Sequence, residues 1–178
     1  AAAEVLRQAR GLAGTDLQKA QVDFLLGSTL YLAGQFRQAE EHYLAGLKVD
    51  PDNVRALNNL AYLYTNDLDR PQDAMPYARK AAERAGDDPN VLDTYGWTLA
   101  RQERFEEALP YLSRAVQLAA PAAAKRYHLG YVCEKLGRAE EAARQYRLGQ
   151  EIAEQATDAA MGQVLSEALA RVVPMKDR

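Results

Sequence analysis

The side chains with chemical potential in this chain are few: two histidines, His42 and His128, one cysteine, Cys133, and adjacent carboxylates at Glu40-Glu41, Glu106-Glu107 and Glu140-Glu141. An imidazole can bind a metal or move a proton, a thiolate can attack an electrophile, and paired carboxylates can divide acid and base roles. Each of these needs partners at a set spacing, and the spacing is missing. No glycine-rich phosphate loop, no His-Glu-x-x-His and no Gly-x-Ser-x-Gly occurs in the chain. The histidines lie in different helical segments, too far apart to share a metal, and read as ordinary surface or groove residues. Cys133 reads as a small core side chain. The carboxylate pairs recur at one place in a repeated segment, as solvated faces supporting helix starts do. The expectation is therefore no catalytic residues, no metal, no cofactor and no enzyme.

Composition narrows the partners. The 178 residues suffice for one domain with a buried core. Hydrophobic residues make up 48%, many of them alanine, and the mean hydropathy of −0.42 suits a helix-rich chain packed through small side chains. A net charge of −3, from 22 basic and 25 acidic residues spread along the chain, builds no field to gather phosphates, so nucleic acid is not expected. No apolar run approaches the roughly 18 to 20 residues of a membrane-spanning helix, so direct membrane insertion is not expected either. The start, Ala1-Ala2-Ala3-Glu4, lacks the basic and apolar segments of a leader, which fits a mature or trimmed chain equally. A lone cysteine leaves cytoplasm and periplasm both open.

The dominant signal is internal repetition. Leu26-Gly27 returns as Leu60-Ala61, Tyr95-Gly96 and Leu129-Gly130, the small residues being offset by 34, 35 and 34. A second column, Ala39, Ala74, Ala108 and Ala142, recurs at offsets of 35, 34 and 34. Within each unit, apolar residues spaced by three and four mark two helices, as in Leu57, Leu60, Ala61, Tyr64 and then Ala74, Tyr77, Ala78, Ala81. Gly34, Gly137 and Asp69-Arg70-Pro71 separate the helices of a unit, with one extra residue expected in the inner turn of the second. Asp50-Pro51-Asp52, Asp87-Asp88-Pro89 and Ala120-Pro121 separate one unit from the next, and such short links predict antiparallel neighbours. Pro76 and Pro110, near the starts of second helices, are expected to adjust local curvature.

These residues resemble the tetratricopeptide repeat family, whose unit sets a large apolar residue, Leu-Gly, Tyr, Gly, aromatic, Ala, aromatic, Ala and Pro at fixed places. Leu26, Gly27, Gly34, Phe36, Ala39, Tyr43 and Pro51 match in the first unit, and Leu129, Gly130, Gly137, Ala142, Tyr146 and Gly149 in the fourth. The resemblance implies an all-α fold, a right-handed α-α superhelix of about four helical hairpins forming a single domain. Its register implies an N-terminal helix or truncated repeat over 1–19, repeats over 20–53, 54–88, 89–122 and 123–156, and a C-terminal capping helix and tail over 157–178. Small residues at Gly27, Ala61, Gly96 and Gly130 would allow close helix approach, and the alanine column would admit bulk from the neighbouring helix.

In this family the first helices line a concave groove. Carrying the groove positions over implies Phe24 and Ser28 from the first unit and Arg55, Asn58, Asn59 and Tyr62 from the second. The third and fourth units add Asn90, Asp93, Thr94 and Trp97, then Tyr127, His128, Tyr131 and Glu134. Tyr62, Trp97 and Tyr131 are register equivalents that would form an aromatic column, either open to a ligand or packed on neighbouring first helices. The lysine, asparagine, asparagine, lysine, arginine clamp of chaperone-binding members is not matched: those places read Phe24, Ser28, Asn59, Asn90 and Thr94, or Asn58, Tyr62, Thr94, Ala124 and His128. An asparagine ladder fails too, since Asn59 is flanked by Leu25, Thr94 and His128.

The resemblance thus implies a scaffold or adaptor binding a protein or peptide, with homo-oligomers left open. Similar bacterial repeat proteins serve secretion, pilus assembly or exopolysaccharide export. A structural spacer, a self-association segment, or a regulatory module of an enzyme whose catalytic domain lies elsewhere are the alternatives. Replacing Ala108 by Trp should overpack the alanine column and lower stability by about 1–3 kcal/mol or more; an unchanged melting curve would contradict this register.

Overall fold

The computed structural model describes residues 2–173 and divides into two compact units, Ala1–Gly86 and Asp87–Arg178. Ala1 and residues 174–178, which the repeat register assigns to the two ends, lie outside the described residues. Unit 1 comprises α1 (Ala2–Leu12), α2 (Asp16–Leu32), α3 (Phe36–Val49), α4 (Val54–Tyr62) running into a π-helical turn (Leu63–Asp67), and α5 (Pro71–Arg84). Unit 2 comprises α6 (Pro89–Arg101), α7 (Phe105–Leu118), α8 (Ala123–Lys135), α9 (Ala139–Gln155) and α10 (Ala159–Val172). The described residues are helical throughout, with no strand among them. The pairs α2/α3, α4/α5, α6/α7 and α8/α9 pack as hairpins. Within its own unit α3 also meets α4, α7 meets α8, and α10 packs on α9 and α8.

Three of the four first helices start with side-chain caps, α8 following Ala122 without one. Thr15 and Gln18 form a reciprocal capping box at α2, Asn53 accepts from the Ala56 amide at α4, and Asp88 accepts from the Asn90 and Val91 amides at α6. The box at Thr15 lets α2 begin at Asp16, upstream of position 20 where the family register opens the repeat. Second helices begin differently, directly out of a tight turn with left-handed backbone at Gly34, Asp69, Glu103 and Gly137 (φ 71°, 52°, 60° and 73°). The amides of Gln35, Arg104 and Arg138 reach five residues back to Leu30, Leu99 and Cys133, closing Schellman turns at 2.9–3.0 Å.

The second repeat departs from this pattern. Its extra residue is not in the inner turn, as the spacing suggested, but inside the end of the first helix. There the Leu68 amide donates to Leu63 five residues back at 3.1 Å, and the Arg70 amide to Tyr64 six back at 2.7 Å. A π turn widens the ring by one residue and so absorbs the insertion while the left-handed turn keeps its place. Pro76 and Pro110 sit inside α5 and α7, both exposed, and the helices run on through them.

The hairpins are held by close approach. A Cβ built on Gly27 would lie 2.7 Å from the Tyr43 ring, on Gly96 2.8 Å from Leu112, and on Gly130 2.5 Å from Tyr146. No methyl fits at those distances, so glycine is required by the ring or branch opposite. The second repeat makes the opposite trade: Ala61 replaces glycine, and Ala78 stands at the register position of Tyr43, Leu112 and Tyr146, both alanines being fully buried. Ala39, Ala74, Ala108 and Ala142 are all 0% exposed. The Gly130→Ala change should therefore cost about 1–3 kcal/mol by thermal or chemical unfolding, and adding Tyr146→Leu should recover some of that loss through coupling across the contact.

Candidate binding faces on the first helices

In unit 1 the expected groove residues divide into two sets. Phe24 turns into the hairpin and lies so close to Gly46 that a Cβ there would collide with its ring. Ser28 donates to the Phe24 carbonyl at 3.1 Å and accepts from the Tyr43 hydroxyl at 3.1 Å. Asn59 reaches back from α4 toward the same pair, 3.4 Å from the Tyr43 hydroxyl and 3.5 Å from Ser28. These three are packing and hydrogen-bonding groups that join the first two repeats, because the tyrosine hydroxyl buried beside Gly27 needs partners.

Arg55, Asn58 and Tyr62 are otherwise placed. They fall at i, i+3 and i+7 on α4, one stripe of the helix. Arg55 is exposed, the Asn58 amide oxygen is shielded from solvent with no hydrogen-bond partner, and Tyr62 is 38% exposed. Tyr62 meets Tyr31 of α2 edge-on at 6.2 Å, and Tyr31 leans on Phe36 at 5.7 Å. Burial and the neighbouring Tyr62 and Asp67 push the Tyr31 hydroxyl well above the ordinary range, keeping it a neutral donor toward Asp67. Tyr31 escaped sequence reasoning because its register equivalents, Thr65, Ala100 and Glu134, are not aromatic.

Unit 2 has a different character. His128 of α8 is hydrogen bonded to Asp93 of α6 at 3.0 Å and lies flat on the Trp97 indole, centroids 4.2 Å apart and planes 14° from parallel. Asp93, Thr94, Trp97 and His128 are 6%, 4%, 7% and 8% exposed. His128 is thus a buried staple between adjacent first helices rather than a surface residue, since indole and carboxylate together satisfy both its face and its edge. Tyr131 stands edge-on to Trp97 at 5.3 Å, and Tyr127 to the same indole at 6.1 Å. Both tyrosines are half-buried, with the Lys135 ammonium over the Tyr131 ring at 5.3 Å. Of the two readings of the aromatic column, the packed one describes Trp97, while Tyr62 remains the exposed ring. Asn90 is exposed and accepts from Lys125 at 3.0 Å.

Glu134 is engaged from two sides. It accepts from the Tyr146 hydroxyl at 2.7 Å and from Arg171 of α10 at 2.9 and 3.2 Å. Burial opposes its ionisation, but the Arg171 and Tyr146 hydrogen bonds outweigh burial and hold its carboxyl below the usual range. Two further carboxylates expected to be plain surface or unremarked are also locks. Glu40 accepts from Tyr64 at 2.7 Å and Arg70 at 3.0 Å, tying α3 to the second hairpin. Asp23, 2% exposed, takes Arg10 of α1 at 2.7 Å and His42 of α3 at 2.9 Å. Cys133 is fully buried and burial pushes its thiol up to about 11, so it is inert packing. Among the described residues no three His, Cys, Asp or Glu side chains gather as a metal site requires.

Helical hairpins with a glycine-to-ring seam, joined within each unit through their first helices, define an all-α helical-repeat protein, a fold that supports protein–protein interaction scaffolds. The chain belongs to the tetratricopeptide repeat family, whose model matches residues 24–89 and again 96–160. A TPR repeat-containing protein of Pseudomonas aeruginosa is 38% identical over 68 residues, which cover 38% of this chain and 12% of that much longer protein. Among solved structures, the MamA protein of strain AMB-1 shares 25% identity at a TM-score of 0.69 over 86% of this chain and 89% of that one. MamA from Desulfovibrio magneticus shares 16% at 0.66 over 86% and 96%. YrrB, described as a TPR protein with an unusual peptide-binding site, shares 18% at 0.70 over 97% and 94%. These likenesses place the fold class with the tetratricopeptide superhelical proteins. No helix among the described residues is long and apolar enough to cross a membrane.

The lowered carboxyl of Glu134 has a pH signature. A depressed folded value contributes stability that is present above the unfolded value, near 4.5, and is lost as pH falls through the folded one. Glu134→Gln should therefore destabilise the chain by about 1–2 kcal/mol at pH 7, and the gap to the unchanged protein should close as the pH drops below 4.5, read by urea unfolding across pH.

Proposed function

We propose that this chain is a non-catalytic interaction scaffold whose first helices hold a peptide or an extended partner segment. The observation that carries the reading is the α4 stripe, where an exposed ring at Tyr62 stands two turns from the exposed Arg55, with the half-buried Asn58 between them. Apolar area beside a charged donor suits a peptide, whose side chain can lie on Tyr62 while a carbonyl or carboxylate oxygen accepts from Arg55.

The tetratricopeptide fold supports the scaffold reading, and YrrB offers a structural relative described with a peptide-binding site, although its low identity bears on fold alone. In unit 2 the half-buried Tyr127 and Tyr131 and the exposed Asn90 are the groove positions still available to a ligand, whereas Asp93, Thr94, Trp97 and His128 serve the joint beneath. Secretion, pilus assembly or exopolysaccharide export would each employ such a scaffold, and partner identity would decide among them.

The test separates capture from folding. Affinity capture from source lysate with mass spectrometry should recover a partner with the unchanged chain and lose at least tenfold of it with Tyr62→Ala plus Arg55→Ala, while circular dichroism stays unchanged. Trp97→Ala, by contrast, should cost about 3 kcal/mol or more in stability. Full retention of the partner by the α4 double variant would remove the binding face from α4 and leave the spacer reading.

A further inference from the structure

The two ends of the repeat array are finished differently. At the end of unit 2, α10 buries Leu165 against Gly149, buries Ala168, turns Gln163, Glu167 and Ala170 outward, and anchors Arg171 on Glu134. Only Val164, at 40%, is a well-exposed large apolar side chain there among the described residues. At the start of unit 1 the picture reverses. α1 buries no residue and exposes Val5 and Leu12 by 64% and 86%, and α2 exposes Leu17, Leu25 and Leu32 by 53%, 55% and 85%. Single exposed leucines are common, but positions 17, 25 and 32 share one face of α2.

The register states what would fit this face. Leu25 occupies the place of Asn59 in the second repeat and His128 in the fourth. Asn59 reaches Ser28 on α2 at 3.5 Å, and His128 stacks on Trp97 of α6 at 4.2 Å. In both cases the side chain at this position meets the first helix of the repeat before it. Leu25 is the apolar form of the same contact, with no preceding first helix among the described residues to receive it. The short link 13–15 makes α1 antiparallel to α2. A helix joined by a similar turn ahead of α1 would run parallel to α2, as α6 runs to α8.

We propose that the Leu25 face of α2 is the docking surface for the first helix of a preceding tetratricopeptide repeat, with α1 as that helix's hairpin partner. The occupant is an amphipathic helix carrying apolar side chains at i, i+3 or i+4, and i+7, matched to Leu17, Leu25 and Leu32. The far greater length of the Pseudomonas relative agrees with a longer array. The inference goes beyond the binding reading and does not depend on it, because it concerns a different face of unit 1.

The test extends the chain with its own helices. Two chimaeras place residues 89–104, or residues 54–70, in front of residue 2. At least one should raise the melting midpoint by roughly 3 °C or more, and Leu25→Asp should abolish that gain. In the unextended chain the same Leu25→Asp change should shift the midpoint by no more than about 2 °C. Failure of both chimaeras to raise the midpoint, or a gain that survives Leu25→Asp, overturns the proposal. So does sedimentation of the unextended chain as a dimer that Leu25→Asp dissociates, which would give the face to a second copy.

Discussion

Everything in this molecule depends on how near two helices of a hairpin can come. At Gly27, Gly96 and Gly130 the second helix pushes a ring or a branched side chain onto bare backbone, closer than any Cβ tolerates. That contact fixes the tilt and spacing of the two helices, and through it the direction in which every other side chain of the first helix points. Phe24 against Gly46 repeats the device in the reverse sense, from first helix to second. Such seams are steep in energy, because dispersion rewards contact and repulsion punishes overlap within a few tenths of an ångström.

A second consequence is polar. Burying Tyr43 and Tyr146 to 1% and 0% beside glycine leaves hydroxyls that must find partners. Tyr43 finds Ser28 and Asn59, and Tyr146 finds Glu134, so packing at the seam dictates the hydrogen bonds between repeats. In unit 2, Asp93 and His128 likewise bind one first helix to the next, with Trp97 as the apolar layer over them. The expected groove positions are thereby split: those reaching toward a neighbouring first helix are consumed by the joint, and others on the same helix stay at the surface. Arg55 and Tyr62 belong to the second kind, with Asn58 half-buried between them.

Insertions are tolerated where the seam allows. The extra residue of the second repeat enters as a π turn at the end of α4, past the close contact, and the left-handed residue Asp69 still turns the chain at the right moment. The compensation at Ala61 and Ala78 belongs to the same repeat, where methyl faces methyl in place of glycine facing a ring.

Much of the fold was legible in the sequence because a period near 34 residues records an interaction that each unit must make with the next. Helix pairs, inner turns, the alanine column and the absence of a motif for chemistry could all be read from Gly27, Ala61, Gly96, Gly130 and their companions. The site was legible only as a set of places: the register put Trp97, Tyr62 and Tyr131 in one column without distinguishing a buried indole from an exposed phenol. That distinction, like the capture of Glu40, Asp23 and Glu134 by Tyr64, Arg10, His42 and Arg171, was decided by tertiary structure. Periodicity carries one-dimensional information about which faces are buried, whereas exposure and pairing depend on which side chain from another helix arrives within 3 or 4 Å, and no spacing along the chain encodes that.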